Sequence, residues 1–368
     1  MESPVRGALR VLIAGGGTGG HVIPGLAIAD ELRLHHGAEV RFLGTERGFE
    51  TRLVPAAGYG LDLIHVGQLK GVSLMTRVRT GLDLPAGVVR CLRLLGEFKP
   101  QVVVGVGGYA SGPGMLAALL RRIPTLAFEP NAVPGLANRL VGRWVSAAAV
   151  SFEPGRRYFR NAEVTGIPVR AEFFGLARRQ AGGAPSLLVF GGSQGARALN
   201  IAMPLIAERL LRQVTGLTIL HQAGARHAEA TEAAYRASGA PPDRWTVSAF
   251  LEDMPRRFEA ADLVLARSGA STVAELGAAG KPSLLVPFPQ AADDHQRRNA
   301  EVMVEAGGAR MLVESGLTPE SLLGSLVDLL NDGPRLVEMG ERARSLARPD
   351  AARRIAGMVE GLAFARAR

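Results

Sequence analysis

The residues best suited to chemistry lie in the stretch 263–300, where two loops carry small and polar side chains between apolar runs. In the first loop, the small residues Gly269 and Ala270 would let a diphosphate approach the N–H groups of a helix start, which favours an anion. Glu275, one turn further in, would accept hydrogen bonds from ribose hydroxyls. The competing interpretation is a capping box, in which Thr272 and Glu275 only close the first turn of the helix. Spacing alone does not separate the two.

The second loop follows an apolar run at 282–286 and leads into a cluster of polar side chains at the entrance of another helix: Asp293, Asp294, His295, Gln296 and Asn299. Such residues commonly serve only as helix caps. Two loops that both follow parallel strands, however, lie at the carboxyl edge of one sheet, where open α/β sheets bind ligands. The pairing of the loops therefore favours a binding site.

The same stretch resembles the MurG family of bacterial cell-wall enzymes. The resemblance rests on RSGASTVAE at 267–275, VPF at 286–288, DHQ at 294–296 and NA at 299–300. Members of this family are N-acetylglucosaminyltransferases that convert lipid I to lipid II. The resemblance implies an α/β protein with two Rossmann-like domains facing each other across a cleft, which is the GT-B fold.

The resemblance also implies which residues bind the donor, UDP-N-acetylglucosamine. Ser193 and Arg170 would contact its phosphates, and main-chain groups at 250–251 would hold uracil. Together with the helix start near Ala270, they would stabilise the negative charge that develops on the leaving diphosphate. The complete predicted donor set is Thr18, Gly19, Gly20, Asn131, Arg170, Ser193, Phe250, Leu251, Ala270, Ser271, Thr272, Glu275, His295 and Gln296.

Two glycine-rich loops in the first half each join a strand to a helix, GGGTGGH at 15–21 and GVGGYASG at 105–112. They either allow tight strand–helix packing or converge at one sheet edge to face a phosphorylated group. The first contains G-x-G-x-x-G, with Glu46 after the next strand, so a dinucleotide-binding domain is a competing interpretation. The longer string GGTGGHVIP at 16–24 resembles the family's first glycine loop instead. The family uses these loops for the diphosphate of its lipid acceptor, which implies that role for Gly16, Gly17, Gly107, Gly108 and Tyr109.

Transfer with inversion requires a general base that takes the proton of the acceptor hydroxyl. The candidates are His21, at the start of the first helix, and Glu129. His21 has the competing interpretation of a helix-start residue only. At 128–131 the chain reads FEPN where the family has His-Glu-Gln-Asn, so only Glu129 and Asn131 are carried over.

The composition is that of a globular protein with room for two domains: 368 residues, 47% hydrophobic and 21% charged. The single cysteine, Cys91, excludes an internal disulfide and suits a reducing compartment. The apolar run before the first glycines is too short for a signal peptide, and no Cys/His cluster has metal-ligand spacing. We therefore expect a cytoplasmic protein with no metal and no cofactor.

The formal net charge of +9 is compatible with nucleic acid or an anionic membrane as a partner. Nucleic acid is disfavoured because only 5% of residues are aromatic and the arginines are not clustered with Tyr or Phe. The segment 70–95 mixes basic with apolar residues and is either an ordinary surface helix or a membrane-docking patch. Because lipid I is membrane-anchored, we predict peripheral binding of this patch to the anionic cytoplasmic face of the bacterial inner membrane.

Composition shifts at 164–170 and 181–185 mark a hinge. We expect 1–166 to form the acceptor- and membrane-facing domain, joined by the C-terminal helix 351–368, and 167–350 to bind the UDP-sugar. The predicted reaction is inverting transfer of N-acetylglucosamine from UDP-N-acetylglucosamine to lipid I in peptidoglycan synthesis. The alternatives are a GT-B transferase with another acceptor, an NAD-dependent oxidoreductase, and a non-catalytic sugar-nucleotide-binding module.

Overall fold

The computed structural model divides the chain into two compact α/β units. The first comprises Met1–Pro168 together with Asp350–Arg368, and the second comprises Val169–Pro349. The structure describes residues 8–46, 48–65, 74–177, 183–192 and 194–365, and for 74–84 it describes the backbone only.

The strands are short and rich in Val, Leu, Ile and Ala, as expected for parallel sheets buried on both faces. They are β1 (Arg10–Gly15), β2 (Glu39–Thr45), β3 (Gly60–Ile64), β4 (Val102–Gly107), β5 (Thr125–Glu129), β6 (Ala147–Val150), β7 (Ala162–Val164), β8 (Ser186–Phe190), β9 (Thr218–Gln222), β10 (Trp245–Ser248), β11 (Leu263–Ala266), β12 (Ser283–Leu285) and β13 (Ala309–Met311). The apolar runs at Leu263–Ala266 and Ser186–Phe190, each followed by small residues, predict buried strands, and the structure has strands with these bounds.

Most helices alternate with strands along the chain, which is the pattern of right-handed βαβ units, and three helices in succession end it. They are α1 (Gly19–His36), α2 (Glu50–Ala56), α3 (Leu74–Phe98), α4 (Ser111–Leu120), α5 (Leu136–Val141), α6 (Arg197–Gln213), α7 (Ala228–Ala237), α8 (Met254–Ala260), α9 (Ala270–Ala279), α10 (His295–Glu305), α11 (Pro319–Leu330), α12 (Gly333–Arg344) and α13 (Ala351–Ala365). Among the described residues, no helix is both long enough and apolar enough to span a bilayer.

Each unit contains one parallel sheet. The order is β3-β2-β1-β4-β5-β6-β7 in the first unit and β10-β9-β8-β11-β12-β13 in the second. In both sheets the chain starts near the middle, builds outward to one side and then crosses to the other. The order reverses between β1 and β4 in the first unit and between β8 and β11 in the second, and such switch points are where open α/β sheets bind ligands.

The cores lie between the sheets and their helices. In the second unit, Leu187 and Leu263 of the sheet belong to one buried cluster with Ile206 and Leu210 of α6 and Leu326 of α11. Full burial of each such side chain contributes roughly 1.5–3 kcal/mol. This packing fixes the strands whose ends carry the candidate site.

The C-terminal helix α13 belongs to the first unit. It packs against α1 and also contacts β4 and β5. The guanidinium of Arg354 lies 2.6 Å from the carboxylate of Glu163, and His36 Nδ1 lies 3.2 Å from Glu360 Oε2. The chain therefore leaves the first unit after Pro168 and returns to it at Asp350.

Candidate active site

The second unit places two loops side by side at its switch point. β8 and β11 are parallel neighbours. The glycine-rich segment 191–196, called here the third glycine loop, follows β8, and the segment 267–269 follows β11. Both loops therefore lie at the edge where α/β sheets bind ligands. Ser193, predicted to contact phosphate, lies outside the described residues.

The start of α9 has the properties of an anion site. Its N-cap is Gly269, so no side chain caps the first turn. Ala270 is buried, Ser271 and Thr272 are half-buried, and the Ser271 hydroxyl oxygen finds no hydrogen-bond partner among the described residues. A buried hydroxyl without a partner is costly, so a bound anion would satisfy both this hydroxyl and the helix N–H groups.

Glu275 does not close a capping box. The capping interpretation is wrong because α9 begins at Ala270 rather than at Thr272, and Gly269 occupies the cap position. Burial raises the pKa of the half-buried Glu275 carboxyl to about 7, and the positive charge of Arg170 opposes this shift. Among the described residues this carboxylate accepts no hydrogen bond, so its oxygens suit hydroxyl donors from a ligand.

Arg170 is held near Glu275 by a chain of aromatic side chains. Its guanidinium lies over the ring of Phe173 at 5.1 Å from the centroid. Phe173 packs edge-on against Phe258 at 5.2 Å, and Phe258 contacts Phe190, the last residue of β8, at 5.8 Å. The aromatic packing therefore fixes an exposed cation beside the start of α9.

The loop after β12 is tied to the loop after β11. Gln296 Oε1 accepts a hydrogen bond from the Phe288 N–H at 3.0 Å, and Ser268 Oγ donates to Gln296 O at 2.7 Å. Asn299 Nδ2 also donates to Ser268 O at 3.3 Å. The structure thus brings 268–275 and 288–296 together, as the pairing of the two loops predicts.

The entrance of α10 is strained. Asp293 and Asp294 have φ angles of 55° and 54°, a left-handed conformation that costs most non-glycine residues energy. Asp294 occupies the N-cap position of α10 but makes no side-chain cap hydrogen bond, so the competing interpretation as a helix cap is wrong for its side chain. His295 Nδ1 contacts the carbonyl oxygen of Ala292 at 2.6 Å, which holds the imidazole at the rim of the loop.

Arg267 supports both loops, a role that the sequence did not reveal. It is buried, and its Nη1 donates to the carbonyl oxygens of Val286 at 3.0 Å and Pro287 at 3.1 Å. Its Nη2 lies 2.6 Å from Glu314 Oε2, after β13. Only the tertiary structure brings these partners to one arginine.

The segment 249–253, called here the base loop, follows β10. Phe250 is exposed, Leu251 is buried, and Ser248 Oγ donates to Phe250 O at 2.7 Å. The Leu251 N–H donates to Gln222 Oε1 at 3.2 Å, and Gln222 Nε2 donates to Gly192 O at 2.8 Å. Some main-chain groups predicted to hold uracil are therefore already engaged, and Gln222 connects this loop to the third glycine loop.

In the first unit, the glycine loops after β1 and β4 (15–20, the first glycine loop, and 105–110, the second) converge, as predicted. The Gly16 N–H donates to Gly107 O at 3.1 Å. A Cβ at Gly108 would lie 2.1 Å from Gly16 O, so no side chain fits between the loops. Gly17 has φ +87° and open space around a notional Cβ, and Tyr109 is 40% exposed.

His21 lies where these two loops meet. It is half-buried on the first turn of α1, which Gly19 and Gly20 begin. Its Nδ1 is 3.1 Å from Thr18 Oγ1, and a Cβ at Gly107 would come within 2.7 Å of the ring. The loops therefore orient the imidazole, and its position requires glycine at 107.

Glu50 supports the first glycine loop, and sequence reasoning missed it. Its buried carboxylate accepts hydrogen bonds from the Gly17 N–H at 2.7 Å, the Thr45 N–H at 2.9 Å and the Thr45 hydroxyl at 2.9 Å. A Cβ at Gly16 or Gly48 would overlap this carboxylate. No local pattern indicates this role, because Gly17 and Glu50 are 33 residues apart.

Glu129 holds the loop that follows β5. One carboxylate oxygen accepts from Asn131 N at 2.9 Å and Asn131 Nδ2 at 3.1 Å, and the other from Gly135 N at 3.1 Å and Asn138 Nδ2 at 3.0 Å. Burial raises the pKa of this carboxyl, while the hydrogen bonds oppose the shift. A carboxylate that accepts three hydrogen bonds from the loop and a fourth from Asn138 of α5 is better suited to support than to proton transfer.

The predicted donor residues are divided between the units. Thr18, Gly19, Gly20 and Asn131 belong to the first unit, and the rest belong to the second. Glu46, the acidic residue of the dinucleotide interpretation, is exposed and lies 3.9 Å from His65. In the described ranges, no group of three or more His, Cys, Asp or Glu side chains could hold a metal ion.

Comparison with known proteins defines the class. Residues 11–150 match the glycosyltransferase family 28 N-terminal domain, and residues 186–355 match the C-terminal domain of the same family. The crystal structure of Acinetobacter baumannii MurG is similar, with a TM-score of 0.79 and 33% identity over 96% of this chain and 99% of that chain. The two parallel-sheet α/β domains and their similarity to MurG and to glycosyltransferase family 28 show that the protein is a glycosyltransferase of GT-B-like fold.

Curated relatives narrow the class. A relative from Anaeromyxobacter dehalogenans is 46% identical over 95% of this chain and 91% of its own length, and one from Solibacter usitatus is 43% identical over 97% of both. Both are named UDP-N-acetylglucosamine--N-acetylmuramyl-(pentapeptide) pyrophosphoryl-undecaprenol N-acetylglucosamine transferase. The chain belongs to the MurG family of glycosyltransferase family 28, which replaces the oxidoreductase interpretation of the first glycine loop.

Proposed function

We propose that the protein transfers N-acetylglucosamine from UDP-N-acetylglucosamine to the muramyl-pentapeptide of lipid I, with inversion, to form lipid II in peptidoglycan synthesis. The observation that carries the proposal is 46% identity over 95% of the chain to a relative named for this transfer. Both units also place their loops at the switch points of their sheets, where α/β proteins bind phosphorylated ligands.

The donor is bound by the second unit. Its diphosphate lies at the start of α9, where the helix N–H groups, the Ser271 hydroxyl and Arg170 meet the charge that grows as the diphosphate leaves. Glu275 binds the ribose hydroxyls. The base loop holds uracil, and the half-buried Gln296 at the start of α10 faces the sugar. Ser193 of the third glycine loop, which would meet the phosphates, Thr272 and His295 complete the set in the second unit. Thr18, Gly19, Gly20 and Asn131 of the first unit stay predicted donor residues.

The acceptor diphosphate is bound by the first and second glycine loops, through Gly16, Gly17, Gly107, Gly108 and Tyr109. His21 is the better candidate for the general base. Its ring is oriented through Nδ1 by Thr18, as a positioned base requires, whereas the four hydrogen bonds to Glu129 come from the loop that it supports and from Asn138 of α5. Glu129 then acts by shaping that loop.

The first unit also binds the anionic cytoplasmic face of the inner membrane, which makes the protein peripheral. Of the predicted patch 70–95, residues 70–73 lie outside the described residues, whereas Arg90 and Arg93 are exposed on α3. α4 packs against α3 and α5 against α4. Both helices expose apolar side chains beside Arg121, Arg122 and Arg143: Leu116, Leu120, Leu136, Leu140 and, just after α5, Trp144. Apolar side chains rimmed by arginine suit an anionic bilayer surface.

A nucleotide screen tests the donor. UDP and UDP-N-acetylglucosamine should raise the melting temperature, whereas NAD and NADP should not. A ligand that binds the folded protein at 100 times its dissociation constant adds about 2.7 kcal/mol to the free energy of unfolding. Turnover of lipid I separates a transferase from a sugar-nucleotide-binding module. Stabilisation by NAD alone would overturn the proposal.

Vesicle binding tests the membrane surface. Replacing Arg77, Arg79, Arg90 and Arg93 with Gln should weaken binding to anionic vesicles, and added salt should mimic the change because exposed charges are screened beyond about 8–10 Å. Activity on a short-chain soluble acceptor should survive. A matched variant in the second unit, with Arg209, Arg212, Arg335 and Arg342 changed to Gln, should bind vesicles like wild type. If both variants bind anionic vesicles equally well, the segment 70–95 is an ordinary surface helix and not a membrane-docking patch.

A further inference from the structure

Gln222, the last residue of β9, connects two loops of the second unit. Its side chain is 97% buried, since only 3% of its surface is exposed. The amide nitrogen donates to Gly192 O at 2.8 Å, and the amide oxygen accepts from the Leu251 N–H at 3.2 Å. One rigid side chain therefore spans from the third glycine loop to the base loop.

The residues after Gln222 form the floor of the third glycine loop. A Cβ at Gly195 would lie 1.9 Å from Ala223 O, and a Cβ at Gly224 would lie 2.2 Å from Gln194 O. Both glycines have positive φ angles, +72° and +84°. The two backbones are therefore in direct contact, and a displacement of Gln222 would move the glycine loop with it.

A buried hydrogen-bond chain fixes the position of this floor. Asn200 Nδ2 donates to Ala223 O at 2.9 Å, which leaves Asn200 Oδ1 to accept from His221 Nε2 at 3.1 Å. His221 Nδ1 must then accept from the Tyr235 hydroxyl at 3.1 Å, so the imidazole is neutral. Burial lowers the pKa of His221 to about 3. The support therefore keeps one charge state across the physiological pH range.

We propose that Gln222 is a positioning residue for the donor, which sets the spacing between the loop that meets the phosphates and the loop that meets the base. The inference rests on the proposed function, because it needs one ligand that contacts both loops. Without the amide, each loop keeps its own fold but the distance between them is no longer fixed. A ligand that bridges the loops then loses affinity, whereas a ligand that contacts one loop does not.

The test uses the full chain with Gln222→Met, which has similar length and no hydrogen-bonding amide. The dissociation constant for UDP, measured by calorimetry, should rise about tenfold, which corresponds to about 1.4 kcal/mol. The KM for UDP-N-acetylglucosamine should rise by a similar factor while kcat at saturating donor and the KM for the acceptor change less than twofold. Inhibition by uridine, which cannot bridge the loops, should change less than threefold.

Two further variants separate positioning from a general loss of stability. Arg244 Nε donates to Leu217 O at 2.6 Å, at the end of β9 and β10 opposite to Gln222. Arg244→Met removes this hydrogen bond and should leave UDP affinity unchanged. Gln222→Asn keeps an amide that is too short to span both loops and should reproduce the UDP defect even if Gln222→Met fails to fold.

The outcomes distinguish this inference from the proposed function. If wild type binds UDP and both Gln222 variants bind it equally well or more tightly, Gln222 does not position the donor, although the transferase proposal stands. If wild type does not bind UDP, the proposed function itself is overturned. A tenfold loss for UDP with unchanged uridine inhibition supports the positioning role.

Discussion

The first and third glycine loops are supported by different chemistry. Beneath the first, the Glu50 carboxylate accepts the Gly17 N–H and so draws one main-chain donor away from any ligand. Beneath the third, the neutral amide of Gln222 donates to the Gly192 carbonyl, which also accepts from the Gly195 N–H, and so takes up an acceptor of the loop rather than a donor. The difference matches the proposed roles. The acceptor diphosphate keeps its charge during the transfer, whereas the donor diphosphate gains charge as it leaves, so a support that occupies a carbonyl rather than an N–H of the loop suits it.

Replacing the carboxylate that supports the first glycine loop with an amide should have the largest effect on stability. Glu50→Gln gives the first loop an amide like that of the third, but the added NH₂ must face N–H or O–H donors that now lack an acceptor. We expect the free energy of unfolding to fall by about 3 kcal/mol, and the KM for the acceptor to rise while the affinity for UDP does not change. Urea denaturation and steady-state kinetics measure both effects. Glu46→Gln, a change in a nearby exposed glutamate, is the control. Equal stability of the two variants would contradict the support role.

Removing the Glu275 carboxylate of the second unit should weaken donor binding and leave the stability of the fold unchanged. Glu275→Ala should weaken donor binding by about 2 kcal/mol, roughly 30-fold, because a charged hydrogen bond to ribose is lost. The melting temperature without ligand should not fall, since this carboxylate supports no loop. Calorimetry with UDP measures the loss, and Glu229→Ala on α7 serves as the control. A lower melting temperature with unchanged donor affinity would instead make Glu275 a structural residue.

The raised pKa of Glu275 predicts a smaller, pH-dependent effect. The pKa is about 7 in the folded protein and about 4.3 in the unfolded chain, so the folded state binds the proton more tightly. This contribution to stability is fully present below pH 4 and is lost as pH rises through 7. In the absence of ligand, Glu275→Gln should therefore become more stable than wild type by about 1–2 kcal/mol at pH 8, with little difference at pH 4. Urea titrations at both pH values measure this, and a gap that stays constant would contradict it.

The smallest effect concerns the hydrogen-bond chain behind the third loop. Tyr235→Phe leaves His221 Nδ1 without its hydroxyl donor and should lower the free energy of unfolding by about 1 kcal/mol. UDP affinity should change less than twofold because Asn200 still holds the floor of the loop. Tyr158→Phe in the first unit, at a partly exposed tyrosine, should cost less. A large loss of UDP affinity in Tyr235→Phe would show that this chain of hydrogen bonds acts directly on the donor site.

The sequence predicted the fold through local patterns. The apolar runs at Leu263–Ala266 and Ser186–Phe190 have the predicted bounds, because turn residues flank each run. The C-terminal helix begins at Ala351, as predicted. The convergence of the loops at 15–20 and 105–110 followed from parallel topology. The predicted helix start just after Gly269 is also confirmed, since α9 begins at Ala270.

The supports of the site could not be predicted. Glu50, Gln222 and Arg267 are buried polar residues whose partners lie far away in sequence: 33 residues separate Gly17 from Glu50, and 30 and 29 separate Gln222 from Gly192 and Leu251. No periodicity or motif encodes such contacts. The substrate roles assigned to individual site residues stay predictions until the variants above are measured.

The position of α13 has a consequence for biosynthesis. Residues 169–349 form a complete unit, and α13 is translated after all of them although it belongs to the unit that contains β1. The second unit can therefore reach its native structure on the ribosome while the first still lacks the helix that packs against α1. The unit that begins first is thus the one whose full set of helices is synthesised last. A chain stopped after Pro349 would keep the later-made unit whole and leave the earlier-made unit with an uncovered apolar face.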